Sequence, residues 1–194
     1  MTARFWTIPN AISLARIATI PFIVYAVIQG AWMTAFVLFM LAGLSDGIDG
    51  LIARYFDQRS AFGAYIDPVA DKTLTVAVFS AFVAVGLVPL WLLVLIVARD
   101  VAILAGAAVL AMRGAASEIR ALPISKLNTV LLIVLAGWIL AANAFGWSIP
   151  ALNYGLIAVV VALTAVSAAA YGRLLTRNLG DLDGVRVRQA GGSK

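Results

Sequence analysis

Cysteine and histidine are both absent from the 194 residues of this chain. The first absence excludes disulfides and thiolate metal centres, and the second removes imidazole as a base or metal ligand. Charge is scarce as well: Asp, Glu, Lys and Arg make up 12% of the sequence, and nine residues are acidic. Proton transfer and metal chemistry therefore fall on a few carboxylates. What fills the chain instead is apolar, with 63% hydrophobic residues and a mean hydropathy of +1.03, above the roughly half-apolar usage of soluble domains. That composition indicates an integral membrane protein. The formal net charge of +5 does not argue for nucleic acid, because the basic residues are scattered at the ends of apolar segments, as membrane topology and anionic lipid contacts require.

A spanning helix needs about 20 apolar residues. Six segments qualify: 10–29, 31–54, 63–86, 89–112, 124–144 and 149–172. The expected fold is all-α, with six transmembrane helices and both termini on one side. The connections at 29–32, 86–91 and 144–150 carry no charge, whereas Arg4, Arg54, Arg59, Lys72, Arg113, Arg120, Lys126, Arg173 and Arg177 mark the opposite ends. By the positive-inside rule those basic ends and both termini are cytoplasmic. Trp32, Trp91 and Trp147 at the uncharged ends, with Phe5 and Trp6 at the charged side, read as interfacial aromatic belts. No small-residue cleavage site follows the first apolar run, so that span is expected to be retained. Ser13 and Arg16 interrupt its start, which suggests an interfacial amphipathic helix over residues 2–16. Residues 1–177 read as a single membrane domain, and the polar stretch 178–194 as a disordered tail.

Against that background, the segment LSDGIDGLIARYFDQRSAFGAYIDPVADK, residues 44–72, holds four aspartates: Asp46, Asp49, Asp67 and Asp71. An Asp at the centre of a membrane helix costs roughly 2.5–3.5 kcal/mol, and less near an interface. Divalent cations compensate such a cluster, and all-oxygen donors suit Mg²⁺ or Mn²⁺. On a helix, Asp46, Asp49, Gly50, Ala53 and Arg54 run along one face, and Asp67 and Asp71 share a face of the next. Gly50, Ala53 and Gly63 leave room for a ligand. Arg54 sharpens the reading, because a guanidinium one turn from carboxylates suits a metal-bound phosphate rather than a transported cation. Simpler readings exist for the parts. Asp67 before Pro68 matches an N-cap with proline at the first helical position, Asp71 with Lys72 a solvated helix start, and the small residues ordinary helix packing. Eight positions in one register outweigh them.

Written out, Asp46-x2-Asp49-Gly50-x2-Ala53-Arg54-x8-Gly63-x3-Asp67-x3-Asp71 spans 26 positions and resembles, without departure, the signature of the CDP-alcohol phosphatidyltransferases. The resemblance implies a six-helix membrane enzyme, usually a homodimer, that uses two divalent cations, Mg²⁺ or Mn²⁺. It cleaves a CDP-linked lipid, releases CMP and passes the phosphatidyl group to an alcohol. By the same resemblance Asp46, Asp49, Asp67 and Asp71 are metal ligands, Asp71 is also the general base, and Asp49, Gly50, Ala53, Arg54 and Gly63 receive the cytidine diphosphate.

The acceptor is read outside the signature. TIPNAISLARIATIP (7–21), LAGLSDGIDGLIAR and LPISKLNT (122–129) resemble the cardiolipin synthases of the mitochondrial and related bacterial type, over residues 7–175. These join CDP-diacylglycerol to phosphatidylglycerol, which would place this chain in a bacterial inner membrane with its site facing the cytoplasm. Phosphatidylglycerophosphate synthases, whose acceptor is glycerol 3-phosphate, share a similar amino end and a basic motif in the corresponding loop, so that alternative stays open. Arg99 and Asp100 lie ten residues into the fourth span, where an ionisable pair marks either function or an ion pair to another helix; as neighbours they point to different faces and need not pair with each other. Lys126 and Arg120 fit an acceptor phosphate or a topology anchor. Asn10 and Arg16 fit a cap on the nucleotide pocket, or, for Arg16, a side chain snorkelling to head groups. A divalent-cation carrier is the reading from another class; it calls for acidic residues spread through the membrane depth, whereas these cluster near one face beside Arg54.

Overall fold

The computed structural model describes the backbone of residues 8–55, 63–112 and 123–191, and side chains at 13–45, 70, 72–106, 108–109, 112, 125–170 and 172–173. The described residues form six helices and no strand: α1 (Ile8–Ile28), α2 (Trp32–Tyr55), α3 (Gly63–Ala84), α4 (Leu90–Met112), α5 (Pro123–Phe145) and α6 (Pro150–Gly191). Two stretches, Ser125–Phe145 and Pro150–Ala170, are long and apolar enough to cross a membrane, and Ser13–Ile28, Trp32–Ser45 and Lys72–Ala84 are shorter apolar helices.

The uncharged turns are built alike. After α1 and α3 the chain passes through Gly30 (φ 69°) and Gly86 (φ 76°), and the amides of Ala31 and Leu87 reach back to the carbonyls of Ala26 and Phe82. This is the Schellman closure, which satisfies the last carbonyls of a helix and requires a left-handed residue that glycine supplies without Cβ strain. Gly146 repeats the device after α5.

Two differences from the sequence expectation concern the ends. α1 runs unbroken through Arg16, so no separate interfacial helix stands within residues 8–28. α6 stays helical to Gly191, through most of the stretch expected to be a disordered tail. No proline follows Pro150, and each added residue of a formed helix gains a backbone hydrogen bond without a new nucleation cost.

The chain divides into two compact units, residues 1–93 with 132–154, and residues 94–131 with 155–194. In the first, α1 packs on α2 and α3, and Ile23 and Val27, Ala35 and Phe39, Val78 and Phe82, and Leu135 and Leu140 form the fully covered core. Phe79 and Phe82 meet edge to face at 5.7 Å. Near the α5–α6 turn, Trp147 stacks on Phe145 and Trp138, and the Trp138 indole donates to Asn153 Oδ1 at 2.6 Å. In the second unit the buried positions include polar ones, Arg99, Asn128, Thr164 and Ser167.

The outward faces are oily. Phe22 and Tyr25 are each 65% exposed, and Leu41, Leu44, Val94, Leu104 and Val130 are more than half exposed. Outward hydroxyls do not wait for solvent: Thr19, Ser45 and Ser80 donate to the carbonyls of Ala15, Leu41 and Val76 at 2.7–2.8 Å. Polar groups inside and apolar ones outside is the distribution an apolar solvent demands.

Candidate active site

The signature falls on two helix ends. Asp46, Asp49, Gly50, Ala53 and Arg54 occupy the closing turns of α2, and Gly63, Asp67 and Asp71 the opening turns of α3. Because α3 begins at Gly63, Asp67 stands inside the helix rather than at an N-cap. The side chains of these eight residues and of Asn10 lie outside the described ones, as does Arg120 altogether. Among the described residues no group of three or more His, Cys, Asp or Glu gathers. The donor chemistry nonetheless fits one kind of ion: carboxylates at i, i+3 on α2 and i, i+4 on α3, in a chain without His or Cys, suit a hard cation such as Mg²⁺ or Mn²⁺ and not a nitrogen- or sulfur-seeking one.

What the structure does describe is the floor beneath those faces. One turn before Asp46 lie Ala42 and Gly43, and one turn after Asp71 lie Leu74 and Thr75. These four line a cavity of about 160 Å³ that Ala136 of α5 and Arg16 of α1 help to close. Arg16 and Leu44 are each 14 residues from Gly30, so folding α1 back on α2 at that turn sets them side by side. Arg16 is 3% exposed. The snorkelling alternative thus gives way to an inward guanidinium, one turn from Ser13, which is buried on the same face of α1.

In the second unit, Arg99 is the hub of a polar seam. One terminal nitrogen donates to Asp100 Oδ1 at 2.6 Å. The other donates to the Ser125 hydroxyl, to the Ser125 carbonyl at 3.3 Å and to the Ser167 hydroxyl at 3.4 Å. Adjacent residues leave a helix 100° apart, yet the four-atom arm of Arg99 spans the gap, so the pairing that its sequence position did not require does occur. One turn along α5 and α6, Thr164 donates to Asn128 Oδ1 at 3.0 Å. Among the described residues, Arg99 Nε and Asn128 Nδ2 are buried with no hydrogen-bond partner. Lys126, between these inward residues in sequence, is exposed. Ser125, Asn128, Thr164 and Ser167 were not singled out from sequence. Their signal was present as polar residues three apart, 125 with 128 and 164 with 167, inside apolar helices.

Comparison with known proteins follows the same residues. The sequence model of the CDP-alcohol phosphatidyltransferase family matches residues 6–168. A human protein named cardiolipin synthase (CMP-forming) is 34% identical over 159 residues, covering 74% of this chain and 53% of the relative. A Mycobacterium tuberculosis putative cardiolipin synthase is 41% identical over 106 residues, covering 53% of this chain and 49% of its own length. A rice chloroplastic CDP-diacylglycerol–glycerol-3-phosphate 3-phosphatidyltransferase is 38% identical over 104 residues, covering 54% of this chain and 32% of that protein. The chain spans about half the length, 53%, of the human and rat relatives it matches. With the family match running through both signature helices and well past them, the chain belongs to the CDP-alcohol phosphatidyltransferases.

Proposed function

We propose that the chain is a CMP-forming cardiolipin synthase that moves the phosphatidyl group of CDP-diacylglycerol to phosphatidylglycerol. The observation that carries this reading is the complete eight-residue signature on the adjoining ends of two consecutive helices, in a chain whose relatives include proteins named for that activity. The six helices would sit in a bacterial inner membrane as a homodimer, with the signature ends toward the cytoplasm. The oily outer faces and the placement of basic residues support this arrangement.

Asp46, Asp49, Asp67 and Asp71 would hold two divalent cations, Mg²⁺ or Mn²⁺, which when bound neutralise the diphosphate and favour departure of CMP. The remaining work belongs to the chain. Arg54 forks onto a phosphate of the donor, Gly50, Ala53 and Gly63 leave space for the cytidine diphosphate beside Asp49, and Asn10 and Arg16 close that pocket from α1. Asp71 accepts the proton of the acceptor hydroxyl. The freed oxygen bonds to the phosphorus that carries diacylglycerol, the bond from that phosphorus to the bridging oxygen breaks, and CMP leaves with the electron pair. Arg120, Lys126 and Arg99 hold the acceptor's phosphodiester, Arg99 through Nε, which has no partner among the described residues.

The second reading, a phosphatidylglycerophosphate synthase, draws support from the rice relative. Purified protein supplied with CDP-diacylglycerol and Mg²⁺ or Mn²⁺ separates the two. CMP release on addition of phosphatidylglycerol is expected; release with glycerol 3-phosphate alone transfers the assignment to the second reading.

A further inference from the structure

The cavity beneath the signature is more apolar than nucleotide chemistry needs. Below Arg16 its walls are Phe39, Ala42, Leu74, Leu132 and Ala136, all but the last two from the helices that carry the aspartates. Phe39, Ala42 and Asp46 are spaced 3 and 4 apart on α2, and Asp71 and Leu74 are 3 apart on α3, so each wall continues the stripe of a carboxylate one or two turns deeper. At 1.5 Å per residue, Phe39 lies roughly 10 Å along the axis from Asp46. The mouth is open at Gly43, where a Cβ would meet nothing within 4 Å. Its rim residues Met40 and Leu44 are 40% and 58% exposed, so the opening faces outward along α2, toward where acyl chains would lie. A dry cavity of roughly 150 Å³ holds a six-carbon guest, close to the about 160 Å³ found here.

We propose that this cavity selects the donor lipid by enclosing the glycerol-proximal segment of one of its acyl chains, and that Ala136 and Leu132 set how much chain it admits. This rests on the reading of the donor as CDP-diacylglycerol. The polarity fits one orientation of one occupant. A lipid whose phosphates sit against the faces of Asp46 and Asp71 carries its ester groups past Arg16, and its first methylenes arrive among Phe39, Leu132 and Ala136. A nucleotide or a free glycerol phosphate has no apolar segment to place there. Ala136 and Leu132 are apolar and belong to α5, which carries none of the signature residues, so their part is specificity rather than catalysis.

The test compares donors with dibutanoyl and dioctanoyl chains at fixed phosphatidylglycerol, in the wild type, in Ala136→Leu, which fills the cavity, and in Leu132→Ala, which enlarges it. The wild type is expected to show a lower KM for the dioctanoyl donor. Ala136→Leu loses that preference by about tenfold or more, the scale of a few methylenes in a pocket, with kcat for the dibutanoyl donor retained; Leu132→Ala keeps or extends it. Thermal stabilisation of the protein by each donor, which requires no turnover, follows the same order. A parallel series varies the acyl chains of the acceptor. Unchanged donor preference in both variants overturns the proposal, as does a change confined to the acceptor series. A fall in kcat alike for both donors also contradicts it, because that is the mark of general disruption. A wild type that releases no CMP from either donor fails the functional reading itself and is told apart by that result.

Discussion

The guanidinium of Arg99 is shared between its own neighbour and two other helices: it donates to Asp100 at 2.6 Å and, through its second terminal nitrogen, to hydroxyls of Ser125 on α5 and Ser167 on α6. A buried charge held this way ties three helices by one side chain. Removing it breaks this buried set of charge-assisted bonds, a change that costs about 3 kcal/mol or more. Arg99→Ala is therefore expected to lower the thermal midpoint in detergent by several degrees, and Arg99→Lys, a point charge without the planar fork, by less. Loss of acceptor affinity with an unchanged midpoint would show that Arg99 serves the acceptor only.

One turn along the same seam, Thr164 and Asn128 share a single buried hydrogen bond. Such bonds between helices in a bilayer average about 0.6 kcal/mol. A double-mutant cycle over Thr164→Val and Asn128→Leu is expected to give a coupling of about that size. Strict additivity would mean the contact contributes nothing beyond the two side chains separately.

Arg16 is buried on the cavity wall and is assigned to the donor's polar end. Arg16→Gln removes one charge-assisted contact, so KM for CDP-diacylglycerol should rise about tenfold or more. KM for phosphatidylglycerol should stay within about twofold, a free-energy change below 0.5 kcal/mol. A change in the acceptor constant alone would remove Arg16 from the donor pocket.

Asp71→Asn retains the shape of the side chain and deletes the proposed base. Loss of a positioned general base lowers turnover by about 10²–10⁴, and the measurement is single-turnover CMP release at saturating donor. Full turnover in that variant would end the assignment of Asp71.

Much of the fold was legible because its cause is local. Apolar runs of spanning length gave 89–112 and 124–144, and the helices are Leu90–Met112 and Pro123–Phe145; the uncharged connections gave the turns that Gly30, Gly86 and Gly146 close. The signature was legible as register, since i, i+3 and i, i+4 spacings carry through to α2 and α3 unchanged. Other features depended on non-local packing or side-chain reach. Arg16 near the start of an apolar run looks the same in sequence whether it reaches out to head groups or in to a cavity, and the choice is made by α2 and α3 packing on α1. Adjacent Arg99 and Asp100 point apart at Cβ and meet only through side-chain length. The helix to Gly191 was masked by the polar composition of residues 178–194, which describes solvation and not backbone conformation.

The central claim is the route of the phosphatidyl group, and a mass measurement of the lipid product tests it most directly. Purified protein receives CDP-diacylglycerol with deuterated acyl chains, unlabelled phosphatidylglycerol and Mg²⁺ or Mn²⁺. The expected product is cardiolipin with one labelled and one unlabelled phosphatidyl group, formed in step with CMP. Unlabelled cardiolipin, or labelled phosphatidyl found only on glycerol 3-phosphate when that acceptor is also supplied, would contradict it.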